Sequence, residues 1–274
     1  MKIAQYTNIQ VSRHSNKSFQ REIWENHWDN NSIEDLTKQL YENPIYWRLK
    51  KIIKKNQTIL EAGCGLSQWV YCLSRQGYKI LGVDIARKTI NKIKKNYPKI
   101  NLHVADVEDL PYKDNSFDVY LSFGVVEHFI KGPSKVLKEA HRVTKSGGLL
   151  YITVPYLNIP RYIKYNFFTK QNGKFYQYLY SEGEIITHIK EAGFKIERVG
   201  HYDFINAVKK DVPFFYSIKS ALNNFKRVKK QNLSLRKLSS AKQVKLFSKE
   251  PNFRLQKLLY LIDSYIILVE ARKI

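Results

Sequence analysis

Residues 58 to 65 read Thr-Ile-Leu-Glu-Ala-Gly-Cys-Gly, and residues 80 to 84 read Ile-Leu-Gly-Val-Asp. An apolar strand runs into a glycine-rich turn that opens a helix, and a second strand ends on an acid, which is how a βαβ unit holds a nucleoside. Gly63 and Gly65 let the backbone turn sharply and approach a ligand where a Cβ would collide. Asp84 ends the neighbouring strand with a carboxylate placed for ribose hydroxyls.

The dinucleotide fingerprint would require a third glycine at position 68, where this chain has Gln68, and Glu61 stands just before the turn. A carboxylate there serves a diphosphate poorly and a cationic amino acid moiety well. The ligand expected is adenosine joined to a charged amino acid.

The remaining pattern alternates short apolar strands with helical stretches. Helical signals run from Ile45 to Lys54. Strands are predicted at Thr58 to Ala62, Lys79 to Val83, Asn101 to Ala105, Val119 to Phe123, Gly148 to Val154 and Lys195 to Gly200. Helices are predicted at Gln68 to Gln76, closed by Gly77, at Lys88 to Asn96, closed by Tyr97-Pro98, and at Glu182 to Ala192. Such alternation means a parallel sheet covered on both faces, with ligands beyond the carboxyl ends of the strands. Gly63, Asp84, Asp106 and Phe123 all fall there.

Five segments, in register, resemble the class I S-adenosylmethionine-dependent methyltransferases, in the branch that acts on small molecules, lipids and sugars. They are residues 59 to 65, Gly-Val-Asp-Ile at 82 to 85, Ala-Asp-Val-Glu-Asp-Leu-Pro-Tyr at 105 to 112, Ser-Phe-Asp-Val-Tyr through Glu-His at 116 to 128, and residues 137 to 150, with Ser146 where the family usually has proline. The resemblance covers roughly residues 40 to 200. It implies a Rossmann-like, doubly wound, seven-stranded and mostly parallel α/β sheet whose last strand is antiparallel. Ser264 to Arg272 fits that strand. It further implies S-adenosyl-L-methionine as cofactor, with Glu61, Gly63 and Gly65 on the methionine part and Asp84 on the ribose. Ile85 would pack on the adenine, Asp106 would accept from its exocyclic amine, the Val107 amide would reach the ring, and Phe123 would border the sulfonium.

Four parts follow: an N-terminal helical or loop extension at 1–40, a cofactor-binding core at 41–202, a basic helical insertion at 203–263, and the last core strand at 264–274. From Ala207 to Lys257 fourteen Lys or Arg face only Asp211 and Glu250, in a chain of net charge +23. Phe214, Ile218, Leu222, Phe225 and Val228 recur at helical spacing opposite Lys219, Lys226, Arg227, Lys229 and Lys230. Such a segment serves as a lid, or as a peripheral contact with an anionic membrane. Nucleic acid is the less favoured partner. Ser-Phe-Gly-Val-Val-Glu-His after strand four lacks the cluster typical of enzymes that methylate base amines, and no cysteine lies near to add to a pyrimidine.

Cys64 and Cys72 read as small buried side chains, and no Cys-x-x-Cys pair suggests a metal. The start lacks an apolar signal-like stretch, and Leu258 to Leu268 is short and interrupted by Asp263, so a cytoplasmic location is expected, peripheral to the inner face of a membrane if the basic segment docks there.

Methyl transfer requires alignment of donor and acceptor and, for a hydroxyl, a base. His128 follows strand four at the edge of the cofactor site and is the expected base, with Glu127 to orient it; His201, near Asp203, is a second candidate. Trp24 and Trp28, four apart, are read as packing on the domain. The aromatic-rich stretch from Tyr156 to Tyr180 is read as a loop over the acceptor, with Tyr156, Arg161 and Tyr162 as substrate contacts and Arg161 meeting a phosphate or carboxylate. The expected activity is O-methylation of a small, lipid-linked or saccharide acceptor. A nucleic-acid methyltransferase and a cofactor-binding interaction module without catalysis are the alternatives.

Overall fold

In the chain's computed structural model, residues 2–7, 24–25, 32–169, 173–202 and 265–274 are described. They fall into two units. Of the described residues, 2–157, 173–200 and 266–274, which carry the sheet and its helices, lie in the first, and 158–169, 201–202 and 265 in the second. The basic stretch 203–263, the helix expected there from Phe214 to Val228, and Trp28 lie outside the described residues.

The sheet begins at β2 (Thr58–Ala62), whose Leu60 and Ala62 are fully buried. Its partners are β3 (Lys79–Asp84) on one side and β5 (Phe117–Phe123) on the other, both parallel to it. Outside them lie β4 (Leu102–Val104) and β6 (Thr144–Pro155), then β9 (Ile266–Lys273) and β8 (Phe194–Tyr202), in the order β4-β3-β2-β5-β6-β9-β8. β9 runs antiparallel to β6, from Leu149 opposite Arg272 to Pro155 opposite Ile266. This is the expected seven-stranded sheet. The central strands are continuous apolar runs because helices cover both faces.

Those helices are α1 (Ile33–Leu40), α2 (Pro44–Ile52), α3 (Gln68–Arg75), α4 (Arg87–Asn96), α5 (Ser134–Val143) and, beyond the short α6 (Ile159–Ile163), α7 (Glu182–Glu191). α2 starts at Asn43, whose side chain accepts the Ile45 amide, with Pro44 at its first position. It is fastened to the last strand, for Arg48 donates to both oxygens of the buried Glu270 at 2.7 and 2.6 Å. The Tyr151 hydroxyl on β6 also reaches the Ile45 carbonyl at 2.9 Å.

Two segments of the first unit depart from expectation. The N-terminal segment, read as helix or loop, opens with β1 (Lys2–Thr7), and the stretch read as an aromatic loop contains β7 (Lys174–Tyr180). They pair antiparallel in a separate two-stranded ribbon, Lys2 opposite Tyr180 and Thr7 opposite Lys174. Aromatics at alternate positions favour a strand once a partner exists, and here that partner is remote in sequence. In the second unit Asn158 caps α6 by accepting the Arg161 amide, a π-helical turn follows at Lys164–Phe168, and the Tyr265 amide donates to the Tyr202 carbonyl at 3.0 Å.

No described helix is long and apolar enough to cross a membrane.

Candidate active site

The chain leaves β2 through Gly63 (φ +80°) and Gly65 (φ +51°), and Ser67 in the same left-handed region precedes α3. Glycine is required at 63 by the protein itself as well as by its φ, because a Cβ there would lie 2.4 Å from Val125 Cγ2 on the loop after β5. The amides of Gly63 and Cys64 both donate to the Val83 carbonyl, at 2.8 and 2.9 Å. Asp84 finishes the clamp. Its carboxylate accepts the Gly65 amide on one oxygen and the Ala86 amide on the other, both at 2.9 Å.

Beyond the carboxyl ends of β2, β3, β4 and β5 lies a cavity of about 260 Å³. Glu61, Gly63, Gly65, Asp84, Ile85, Asp106, Val107 and Phe123 all line it, so the eight residues singled out in the sequence converge on one space. It lies where the strand order reverses between β2 and β5, the usual ligand crevice of an open α/β sheet. His128, on the short 3₁₀ turn Val126–His128, lines it as well.

Burial dominates the electrostatics. It pushes the Glu61 carboxyl well above its ordinary value, the Asp84 charge adding to this and the Val70 amide opposing it. Glu61 Oε2 and Gln68 Oε1 are buried with no hydrogen-bond partner among the described residues. Asp84 is raised too, by burial, against the amides of Ala86, Gly65 and Ile85. The Cys64 thiol is pushed up by burial and then by Asp84 and Glu61, which leaves it a packing group rather than a nucleophile. Asp106 accepts the Glu108 amide at 2.9 Å.

His128 is buried, and its Nδ1 lies 2.8 Å from the Tyr176 carbonyl of β7. Its ring meets Trp24 edge-on at 4.8 Å and Tyr176 at 5.1 Å. Trp24, Phe129 and Tyr176 also line the cavity; Tyr176 belongs to the aromatic stretch expected over the acceptor, whereas Trp24 and Phe129 were not expected there. Trp24, read as packing on the domain, forms part of the wall. Phe123 stacks on Trp69 at 4.3 Å, an aromatic neighbour visible only in three dimensions.

Other expected residues stand elsewhere. Glu127 does not line the cavity; it is buried, Oε2 has no partner among the described residues, and burial lifts its carboxyl to about 8. The group holding the His128 Nδ1 is the Tyr176 carbonyl. Tyr156 is buried away from the cavity and bridges Tyr180. Arg161 and Tyr162 belong to the second unit, where Arg161 is buried with its guanidinium 3.4 Å from the Tyr265 ring centre. His201 belongs there too.

Residues 60–152 match the family model described as a methyltransferase domain. The chain is 32% identical over 181 residues to the demethylmenaquinone methyltransferase of Chlorobaculum parvum, covering 55% of this chain and 74% of that one. It belongs to the class I S-adenosylmethionine-dependent methyltransferases. A probable S-adenosylmethionine-dependent methyltransferase of Mycolicibacterium smegmatis is 28% identical over 97 residues, 35% of this chain, and the match spans only 37% of that relative. A methyltransferase structure from Mesorhizobium loti shares the fold, with a TM-score of 0.52 at 16% identity over 85% of this chain and all of that one.

The protein is therefore a methyltransferase, with S-adenosylmethionine as its cofactor. The cavity of this methyltransferase fits that molecule. A buried carboxylate oxygen of Glu61 awaits a donor, the acids Asp84 and Asp106 line the same space, and apolar Ile85 and Val107 flank them. Among the described residues no group of His, Cys, Asp and Glu comes together that could hold a metal ion.

Proposed function

We infer that this methyltransferase acts on a hydroxyl oxygen of a small acceptor, whether free, lipid-linked or a saccharide, with His128 as its base. The observation that carries the reading is the hydrogen bond between His128 Nδ1 and the Tyr176 carbonyl at 2.8 Å. A carbonyl can only accept, so Nδ1 carries the proton, and in the neutral ring Nε2 holds the lone pair that a base needs.

Glu61 and the glycine turn would hold the amino acid part of the cofactor, Asp84 its ribose, and Asp106 with the Val107 amide its adenine against Ile85. Phe123 would border the sulfonium. S-adenosylmethionine, when bound, supplies an electrophilic methyl group whose leaving group is a neutral thioether. The chain's own contribution is to align the acceptor oxygen and take the acceptor's proton at His128.

Transfer of radioactive methyl groups into an extract of the source organism, separated into lipid, saccharide, nucleic-acid and small-molecule fractions, tests the acceptor class. Label in the lipid, saccharide or small-molecule fraction supports the reading, and nuclease-sensitive label would replace it. His128→Asn, whose amide can still donate to Tyr176, should bind cofactor and lose transfer by about a hundredfold or more; full turnover would remove His128 from the reaction.

A further inference from the structure

We propose that Trp24 and Tyr176 form the acceptor wall of the cavity, and that this wall takes an uncharged planar ring bearing a hydroxyl, a phenol or a hydroquinone. The inference rests on the reading of His128 as the base and narrows the acceptor from small molecules at large to aryl hydroxyls.

Trp24 and Tyr176 approach His128 edge-on, at interplanar angles of 83° and 70°. Val125 and Phe129 line the cavity with them, and none of these four described residues carries a carboxylate or amide side chain. A sugar brings several hydroxyls, each costly to bury without a partner. A planar ring brings one or two, and its faces and edges suit aromatic neighbours.

Proton transfer points the same way. An imidazole has an ordinary pKa of about 6.5 and a phenol one of about 10, a gap of roughly three to four units. An alcohol lies close to water at about 16, more than twice as far from the base. The phenolic oxygen gains the methyl group as its proton passes to Nε2 of His128. An O–C bond forms where a C–S bond breaks, and the sulfur keeps that electron pair as a thioether.

Trp24 is held in place by its neighbour. Glu25 accepts the Lys88 amide at 3.3 Å in the first turn of α4 and pairs with the Lys88 ammonium at 3.3 Å. α4 follows directly on Asp84 and Ile85, so residues 24 and 25 reach from the nucleoside side of the cavity to His128.

Calorimetric titration of 2-naphthol and of methyl glucoside into protein saturated with S-adenosylhomocysteine tests the wall without turnover. Naphthol should bind at least about tenfold more tightly than the glucoside, and Trp24→Ala should weaken naphthol about tenfold while S-adenosylhomocysteine affinity changes less than about twofold. Equal binding of the two probes, or unchanged naphthol affinity in Trp24→Ala, overturns the proposal. Should Trp24→Ala also lose S-adenosylhomocysteine, Trp24→Leu, which keeps apolar bulk and removes the ring, carries the same expectation. His128→Asn should still bind naphthol; if it also still methylates naphthol, the base assignment fails while the wall stands on its binding data.

Discussion

The Asp84 carboxylate accepts the Gly65 amide at 2.9 Å, so the acid that ends one strand pins the glycine turn that follows its neighbour. Its other oxygen takes the Ala86 amide. Asp84 is thus part of the fold before any ribose arrives. Asp84→Ala should lower both unfolding free energy and cofactor affinity, the former by about 2 kcal/mol for two buried amides left without acceptors. Urea unfolding of the protein alone checks this, and an unchanged midpoint would confine Asp84 to ligand binding.

Glu61 should behave in the opposite way. Its raised carboxyl and orphaned Oε2 mean that a cationic amino group binding beside it favours ionisation. Cofactor binding should therefore release protons, with affinity rising as pH rises through the Glu61 titration. Calorimetry in buffers of different ionisation heat reads the protons directly. Glu61→Gln should abolish the buffer dependence and weaken binding by about ten- to a hundredfold, while unfolding free energy without ligand does not fall.

Glu127 gives a pH signature in stability. Burial raises its carboxyl from 4.5 to about 8. Between those values the folded chain keeps a proton that the unfolded chain has released, so rising pH withdraws stability across this window and nowhere else. Glu127→Gln lacks the slope. The advantage of the variant should grow by up to about 1.4 kcal/mol per pH unit within the window, measured by denaturant unfolding from pH 4 to pH 9. Parallel curves for the two proteins would show that Glu127 ionises readily in the folded state.

Removing Arg48 strands a buried acid. Glu270 keeps 2% of its surface and takes both of its bonds from Arg48, whose side chain is 30% exposed. Arg48→Ala should cost about 3 kcal/mol, the lower part of the range because the arginine remains partly solvated. The double change Arg48→Met with Glu270→Met should recover much of that loss. Thermal unfolding of the three proteins decides, and a double variant no better than the single one would show that the pair contributes more than relief of an unpaired charge.

The stretch 203–264 leaves and re-enters at one point, since Tyr202 and Tyr265 share a backbone hydrogen bond of 3.0 Å. Replacing it with an Asn-Gly turn should raise the unfolding free energy by up to about 3 kcal/mol, the loop-closure entropy saved when a long connection becomes a two-residue one, as read by urea unfolding. Salt-sensitive binding to phosphatidylglycerol vesicles should disappear with its lysines and arginines. Vesicle binding that survives the deletion would place the membrane contact on another surface.

The sheet was legible because its strands are apolar runs set off by glycine, acid and helix signals, and the strand pattern together with the family resemblance gathered Glu61, Asp84, Asp106 and Phe123 at one end of it. What escaped was whatever depends on remote pairing. β1 and β7 are strands because each supplies the other's hydrogen bonds, and neither segment declares this locally. Tyr176 reaches His128 through that ribbon, and Trp24 through the hold of Glu25 on Lys88. Both lie far from the glycine turn in sequence, so no spacing rule could join them to it. The second bond of Asp84 was hidden differently: the motif named the acid for a ligand, while its carboxylate also serves the backbone.

β9 lies between β6 and β8 in the sheet, although β8 is made first. During synthesis, then, β8 has nowhere to dock: its hydrogen-bonding neighbour in the sheet has not yet left the ribosome, and the flank of β6 is bare. Residues 266–273 enter as a keystone, seating two strands at once and covering an edge that would otherwise offer itself to another chain. A chain arrested before them would already hold every described residue that lines the nucleoside crevice, yet would carry an open sheet edge.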